Sequence, residues 1–187
     1  LGHSINGATI EDNRINGAVL DGVHISDAEG VLAFRRNLIG EFSVGPGADL
    51  PNLRDGIFIE DFVGPPAGFG GNTTGQLVLQ DNNIVGNFRD GVHVLGYRLQ
   101  HRDRNQPLDE QEVGVLVENN NFSNNLRDGI RLSENLFSFS NFTGVDTNTT
   151  DIDMIGNQVT FNGANGINIT NDLVGGLGVM GGGRLRI

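Results

Sequence analysis

The sequence predicts an all-β solenoid, built from short strands stacked coil upon coil. Three observations predict it. The stretch "LRDGI" at 53–57 returns as "FRDGV" at 88–92 and "LRDGI" at 126–130, 35 and then 38 residues later. An asparagine stands eight residues before four of the Asp-Gly (or Asn-Gly) pairs. Apolar residues flank both landmarks at every second position, the period of a strand with one face inward.

Each copy has the same parts in the same order. It begins with the apolar pairs Ala8 and Ile10, Leu32 and Phe34, Leu77 and Leu79, Val115 and Val117, and Ile152 and Met154. One residue separates the members of a pair, so both face one way along a strand. Asn13, Asn37, Asn82, Asn120 and Asn157 follow as a turn. Asparagine is expected there because its short side chain tolerates the left-handed conformation. Ile15, Ile39, Ile84, Phe122 and Val159 then mark a second, shorter strand.

The Asp-Gly corner comes next, at Asp21-Gly22, Asp55-Gly56, Asp90-Gly91, Asp128-Gly129 and Asn165-Gly166. Glycine there lets the chain enter the next strand without a side chain in the way. The third strand carries Val23 and Ile25, Ile57 and Ile59, Val92 and Val94, Ile130 and Leu132, and Ile167 and Ile169. Such a unit cannot bury its apolar side alone. It needs a copy above and a copy below, which is the logic of a solenoid. Stacking at about 4.8 Å would bring the asparagine amides within bonding reach of one another.

Composition narrows the function. Among 187 residues, 29 are Gly, and the net charge is −11. All 12 basic residues are Arg, with no Lys. A phosphate-binding protein needs a basic face, so a nucleic-acid partner is not expected. An anionic membrane surface is disfavoured on the same ground. No apolar run approaches the ~20 residues of a membrane span, so no membrane insertion is expected. The chain has no Cys, which excludes disulfides and thiolate chemistry. It is read as one domain over residues 1–187. It does not begin with Met and shows no capping helix, so it is expected to be a fragment of a longer protein.

The stretches "DNNIVGNFRDGVHV" (81–94), "ENNNFSNNLRDGIRLS" (118–133) and, more weakly, "GNQVTFNGANGINIT" (156–170) resemble the repeats of the right-handed parallel β-helix superfamily, the pectate-lyase-like group. The resemblance covers roughly residues 5–170. It implies a right-handed parallel β-helix of about five to seven coils with an asparagine ladder. It says little about chemistry. That superfamily holds lyases, hydrolases, esterases, epimerases, phage tailspikes and non-catalytic surface proteins.

Copies longer than the shortest carry their excess mostly after the third strand, at 61–75, 96–113 and 134–150. Three loops at one corner of adjacent coils are expected to stack as a wall. One-sided insertions are where solenoids tend to carry function; plain decoration is the other reading. The densest loop, "GYRLQHRDRNQPLDEQE" (96–112), holds the single Tyr. A further insertion, "SVGPGADLPN" (43–52), precedes Asp55.

Two groups of residues are candidates for chemistry. The Asp column could bind calcium or an acidic sugar. Carboxylates ~4.8 Å apart would repel by up to about 3 kcal/mol per neighbour at an effective dielectric of 20. The adjacent Arg54, Arg89 and Arg127 can offset this without a metal, and that structural account is preferred, so no cofactor is expected. The outward column of the third strand holds His24, Phe58, His93, Arg131 and Asn168, flanked by Ser26, Glu60, Leu95, Ser133 and Thr170.

The resemblance implies that this outward face can floor a sugar cleft, with Phe58, Glu60, Arg98, Arg102 and Asn168 as substrate contacts. Proton abstraction beside a uronate carboxylate needs a cation, a base and an acid. Arg131, His93 or His101, and Tyr97 could supply them, as in some lyases and epimerases of that fold. The paired aspartates and Gly-His-Gly of polygalacturonases are absent, as is the Asp/Arg pattern of pectin methylesterases. Lyases with a Lys base are excluded. The leading expectation is a non-catalytic module of a secreted or cell-surface protein that binds a polysaccharide or cell-surface glycan. A polysaccharide lyase or uronate epimerase is the alternative, and a trimeric tailspike segment ranks third.

Overall fold

The structure is a computed structural model that describes residues 7–28, 30–40, 50–63, 77–100, 113–133, 136–138, 151–170 and 185–186. These residues form three sheets in which every pairing is parallel, and no helix occurs among them. The first sheet contains Ala8–Glu11, Leu32–Arg35, Leu77–Gln80, Val113–Glu118, Asp151–Ile155 and Leu185–Arg186. The second contains Arg14–Ile15, Leu38–Gly40, Asn83–Val85, Asn121–Ser123 and Gln158–Thr160. The third contains Val23–Ser26, Ile57–Val63, Val92–Gln100, Ile130–Ser133 and Ile167–Thr170, with Leu136–Ser138 paired to the far end of Val92–Gln100. Each coil contributes one strand to each sheet in turn. The protein is a parallel β-helix.

The register matches the sequence repeat. Ile57 lies beside Val23 and Val92, and Val92 beside Ile130. Inward residues of the central coils, among them Phe34, Ile39, Ile59, Leu79, Ile84, Val94 and Phe122, are fully buried. Each such side chain contributes about 1.5–3 kcal/mol by leaving water. Ile10, Ile15 and Ile25 in the first coil, and Val159, Ile167 and Ile169 in the last, are only partly buried.

The corner after the first sheet is an asparagine ladder. Asn13 Nδ2 donates to Asn37 Oδ1 at 3.1 Å, Asn37 to Asn82 at 3.0 Å, Asn82 to Asn120 at 2.9 Å, and Asn120 to Asn157 at 3.0 Å. One expectation is corrected here. The ladder residues themselves are not left-handed. The residue before each one is: Asp12, Arg36, Asp81, Asn119 and Gly156 have φ between 54° and 66°. That left-handed residue turns the chain. The asparagine is selected for its amide, which points inward and bonds along the stack.

A second ladder stands at the next corner, unforeseen in the sequence. Asn52 Nδ2 donates to Asn87 Oδ1 at 2.9 Å, Asn87 to Asn125 at 2.9 Å and Asn125 to Asn162 at 3.1 Å. Ala18 takes the position in the first coil and gives only its backbone N–H, to Asn52 Oδ1. Close approach follows at the third corner. A Cβ on Gly56 would lie 2.6 Å from the Gly91 carbonyl oxygen, and one on Gly91 2.5 Å from that of Gly129. Glycine is therefore required after each Asp by the neighbouring coil, as expected.

Candidate functional site

The candidate site lies where the third corner meets the outer face of the third sheet. Asp21, Asp55, Asp90 and Asp128 form a column, and all four are buried. Backbone amides hold them in place. The N–H of Asp55 donates to Asp21 Oδ1 at 3.1 Å, that of Asp90 to Asp55 Oδ1 at 2.9 Å, and that of Asp128 to Asp90 Oδ1 at 3.0 Å. Asn165 completes the series with its N–H and its Nδ2 on Asp128 Oδ1.

The Arg column leans on these carboxylates as the sequence suggested. Arg54 Nε lies 3.5 Å from Asp21 Oδ1, Arg89 Nε 3.8 Å from Asp55 Oδ1, and Arg127 Nη2 3.3 Å from Asp90 Oδ2. Each guanidinium reaches back to the carboxylate of the preceding coil. The three side chains are about one-third exposed, so solvent weakens these attractions.

The outward column is also in register. His24 pairs with Phe58, Phe58 with His93, His93 with Arg131 and Arg131 with Asn168. The rings touch: His24 and Phe58 centroids are 5.0 Å apart, and Phe58 and His93 5.1 Å apart. Arg54 lies over the Phe58 ring. His24 stays exposed, with Nε2 3.0 Å from Glu60 Oε1 and Nδ1 3.5 Å from Asp21 Oδ2. His24 and His93 are two coils apart, with Phe58 between them, so they form no common site.

His93 differs from His24 in being 8% exposed. Its Nε2 lies 2.9 Å from Ser133 Oγ, and that hydroxyl in turn donates to the Val94 carbonyl at 3.4 Å. Its Nδ1 stands 3.8 Å from Asp55 Oδ2 and 3.8 Å from Asp90 Oδ2. Among the described residues none of these three atoms has a hydrogen-bond partner, although all are buried. The two carboxylates are driven apart in acidity. Burial, then the nearby Asp55 charge, push Asp90 above the usual carboxylate value, against the Asp128 N–H and Arg127. Burial also raises Asp55, but His93, the Asp90 N–H and Arg89 outweigh it and hold Asp55 low.

The other candidates divide. Arg131 and Asn168 join the column, and the Asn168 amide donates to Asp128 Oδ2 at 2.8 Å. Phe58 is buried rather than presented. Tyr97 and Arg98 lie on the strand Val92–Gln100, beside Phe62 and Val63, but their side chains fall outside what is described. His101 and Arg102 lie outside the described residues, as do most of the three loops and the insertion before Asn52. The sequence reading assigned His93 to a face and Asp90 to a turn. It missed that spacing of three across "DGVH" brings them together, although Asp21 and His24 show the same spacing. No family model, curated protein or solved structure matches this chain.

Proposed function

We propose that the chain is a non-catalytic module of a secreted or cell-surface protein, and that it binds a polysaccharide or cell-surface glycan along the outer face of its third sheet. One observation carries this reading. The outward positions of that sheet hold His24, Arg131 and Asn168, with Glu60 beside them, in strict register over five coils that do not need them for the core. Extended ligands suit an extended face with a repeated rung. The resemblance of the repeats to pectate-lyase-like proteins points the same way. Beside this face runs an exposed apolar stripe, Leu53, Phe88 and Leu126, against which sugar C–H surfaces can pack.

Affinity electrophoresis in gels cast with neutral and acidic polysaccharides tests the reading. Retardation in at least one gel, lost in a His24→Ala/Arg131→Ala double variant, is the expected result. Equal mobility in every gel would sink it.

A second reading is favoured by the surroundings of His93. An imidazole held between Ser133 and two carboxylates of opposite acidity shift, next to Arg131 on the adjoining coil, has the parts for proton transfer. A lyase or epimerase acting on an acidic polysaccharide would use them. Incubation with uronate polymers separates the two readings: ultraviolet absorbance from an unsaturated product, lost in His93→Gln, establishes the lyase.

A further inference from the structure

We propose that Asp55, Asp90 and His93 form a binding site for one divalent transition-metal cation. The tautomer of His93 is tied to the proton on Ser133. Its hydroxyl hydrogen goes to the Val94 carbonyl. Where Ser133 Oγ accepts from His93 Nε2, that nitrogen carries the imidazole proton. In a neutral ring, Nδ1 is then a bare lone pair. It points at Asp55 Oδ2 and Asp90 Oδ2, which are lone pairs too. Three buried acceptors converge, and no donor among the described residues serves them. Left alone, such a group is costly, because each unmet buried acceptor has lost its hydration without a replacement donor. A cation between them removes the conflict.

The geometry fits a metal. Each of the three residues offers one ligand atom, and these atoms lie within 4.8 Å of one another. A point equidistant from three atoms so spaced lies about 2–2.5 Å from each, the range of metal–ligand bonds. Two carboxylates and one imidazole suit a first-row ion such as Zn²⁺ or Mn²⁺, since Ca²⁺ takes oxygen ligands. Ser133 on Nε2 is the kind of outer partner that fixes a ligating imidazole. The Phe58 ring flanks His93 from the preceding coil.

Charge allows it as well. Four aspartates stand in the column against Arg54, Arg89 and Arg127. Arg127 approaches Asp90 Oδ2 without hydrogen-bond geometry. Both it and Arg89 are one-third exposed and can turn to solvent. Among the described residues, Arg131 stands in register with His93 on the adjoining coil. The related group at His24 does not qualify. Its Nδ1 faces Asp21 and its Nε2 faces Glu60, so the carboxylates lie at opposite ends of the ring.

The test uses the whole chain after chelator treatment, titrated with Zn²⁺ or Mn²⁺ alone in a calorimeter. One equivalent should bind and raise the melting temperature. Electron spin-echo spectra of the Mn²⁺ form should show one nitrogen coupling, absent in His93→Gln. Asp55→Asn keeps the Oδ1 acceptor for the Asp90 N–H and should weaken binding by more than about 100-fold. Asp21→Asn should bind as the parent does. Circular dichroism checks folding, and His93→Gln decides alone if Asp55→Asn fails to fold. Three results overturn the proposal: no saturable binding of either ion, in which case a proton on Nδ1 fills the gap; binding unchanged in His93→Gln; or displacement of both ions by equimolar Ca²⁺. Glycan retention is a separate readout, so either proposal can fail without the other.

Discussion

The asparagine ladder runs over five coils and the aspartate column over four of the same coils, yet they end in opposite conditions. In the ladder, Asn82 uses everything it has. Its Nδ2 donates to Asn120 Oδ1 and to the Phe34 carbonyl, and its Oδ1 accepts both N–H groups of Asn37. An amide is donor and acceptor at once, so a column of amides can satisfy itself to any length. A carboxylate only accepts. In the column, Asp55 and Asp90 satisfy one oxygen each from the next coil's backbone and leave the other facing His93. Only Asp128, which meets the amides of Asn165 and Asn168, is fully met. The ladder is therefore a structural device that needs nothing from outside. The column needs cations, and three of its oxygens still lack a donor among the described residues.

Exchanging the two chemistries puts this contrast to measurement. Asn82→Asp should be the most damaging change. It removes two donated bonds and sets a charge against Asn120 Oδ1 in a buried site, at a cost of about 3–5 kcal/mol in urea unfolding at neutral pH. Acid should restore part of that loss, because a protonated carboxyl can donate again.

The reverse exchange should be mild and should differ in sign between neighbours. In metal-free protein, Asp55→Asn should lower stability by about 1–2 kcal/mol, whereas Asp90→Asn should leave it unchanged or raise it by up to about 1 kcal/mol. The signs follow from the acidity shifts. Asp55 is held below the ordinary value of 3.8, so its ionised form supports the fold above that pH, and the support fades as pH falls through the folded value. Asp90 lies above 3.8, so its ionised form opposes the fold at neutral pH, and the opposition is relieved as pH falls through its folded value towards 3.8. Chemical unfolding of both variants from pH 7 to pH 3 should show these opposite trends. Parallel curves would contradict the assignment.

Smaller effects lie at the surface. Arg127→Ala should cost about 0.5–1 kcal/mol, less at high salt, since the guanidinium that offsets Asp90 is partly solvated. Smallest is Asp12→Asn. Its bidentate contact with Arg36 lowers the Asp12 pKa, so what support it gives is present at neutral pH and lost in acid. The pair is exposed, and the change should fall within the error of a thermal melt at physiological salt.

Much of this architecture was readable beforehand. Apolar alternation around Asn82 and Asp90 named all three strands of the coil, because a period of two admits only one burial pattern. The first ladder was legible for the same reason. The second was overlooked although Asn52, Asn87, Asn125 and Asn162 each stand three residues before the third-corner residue. The repeated string "LRDGI" starts one residue after Asn52 and so leaves the ladder residue out. The left-handed role was given to the wrong neighbour because local propensity cannot say which of two adjacent polar residues turns the chain. Here Arg36 and Asp81 take the strained φ and leave Asn37 and Asn82 free to bond.

Which residues share a rung follows from the primary repeat, since equal spacing forces equal stacking once a coil must shelter its neighbour's apolar edge. Depth and partnership do not follow from it. His24 and His93 hold equivalent places in the repeat. The first is exposed between Asp21 and Glu60, and the second is buried with two carboxylates on one nitrogen and Ser133 on the other. That difference arises only when side chains from successive coils are stacked in three dimensions, because the neighbours that distinguish the two histidines lie 34 to 40 positions away.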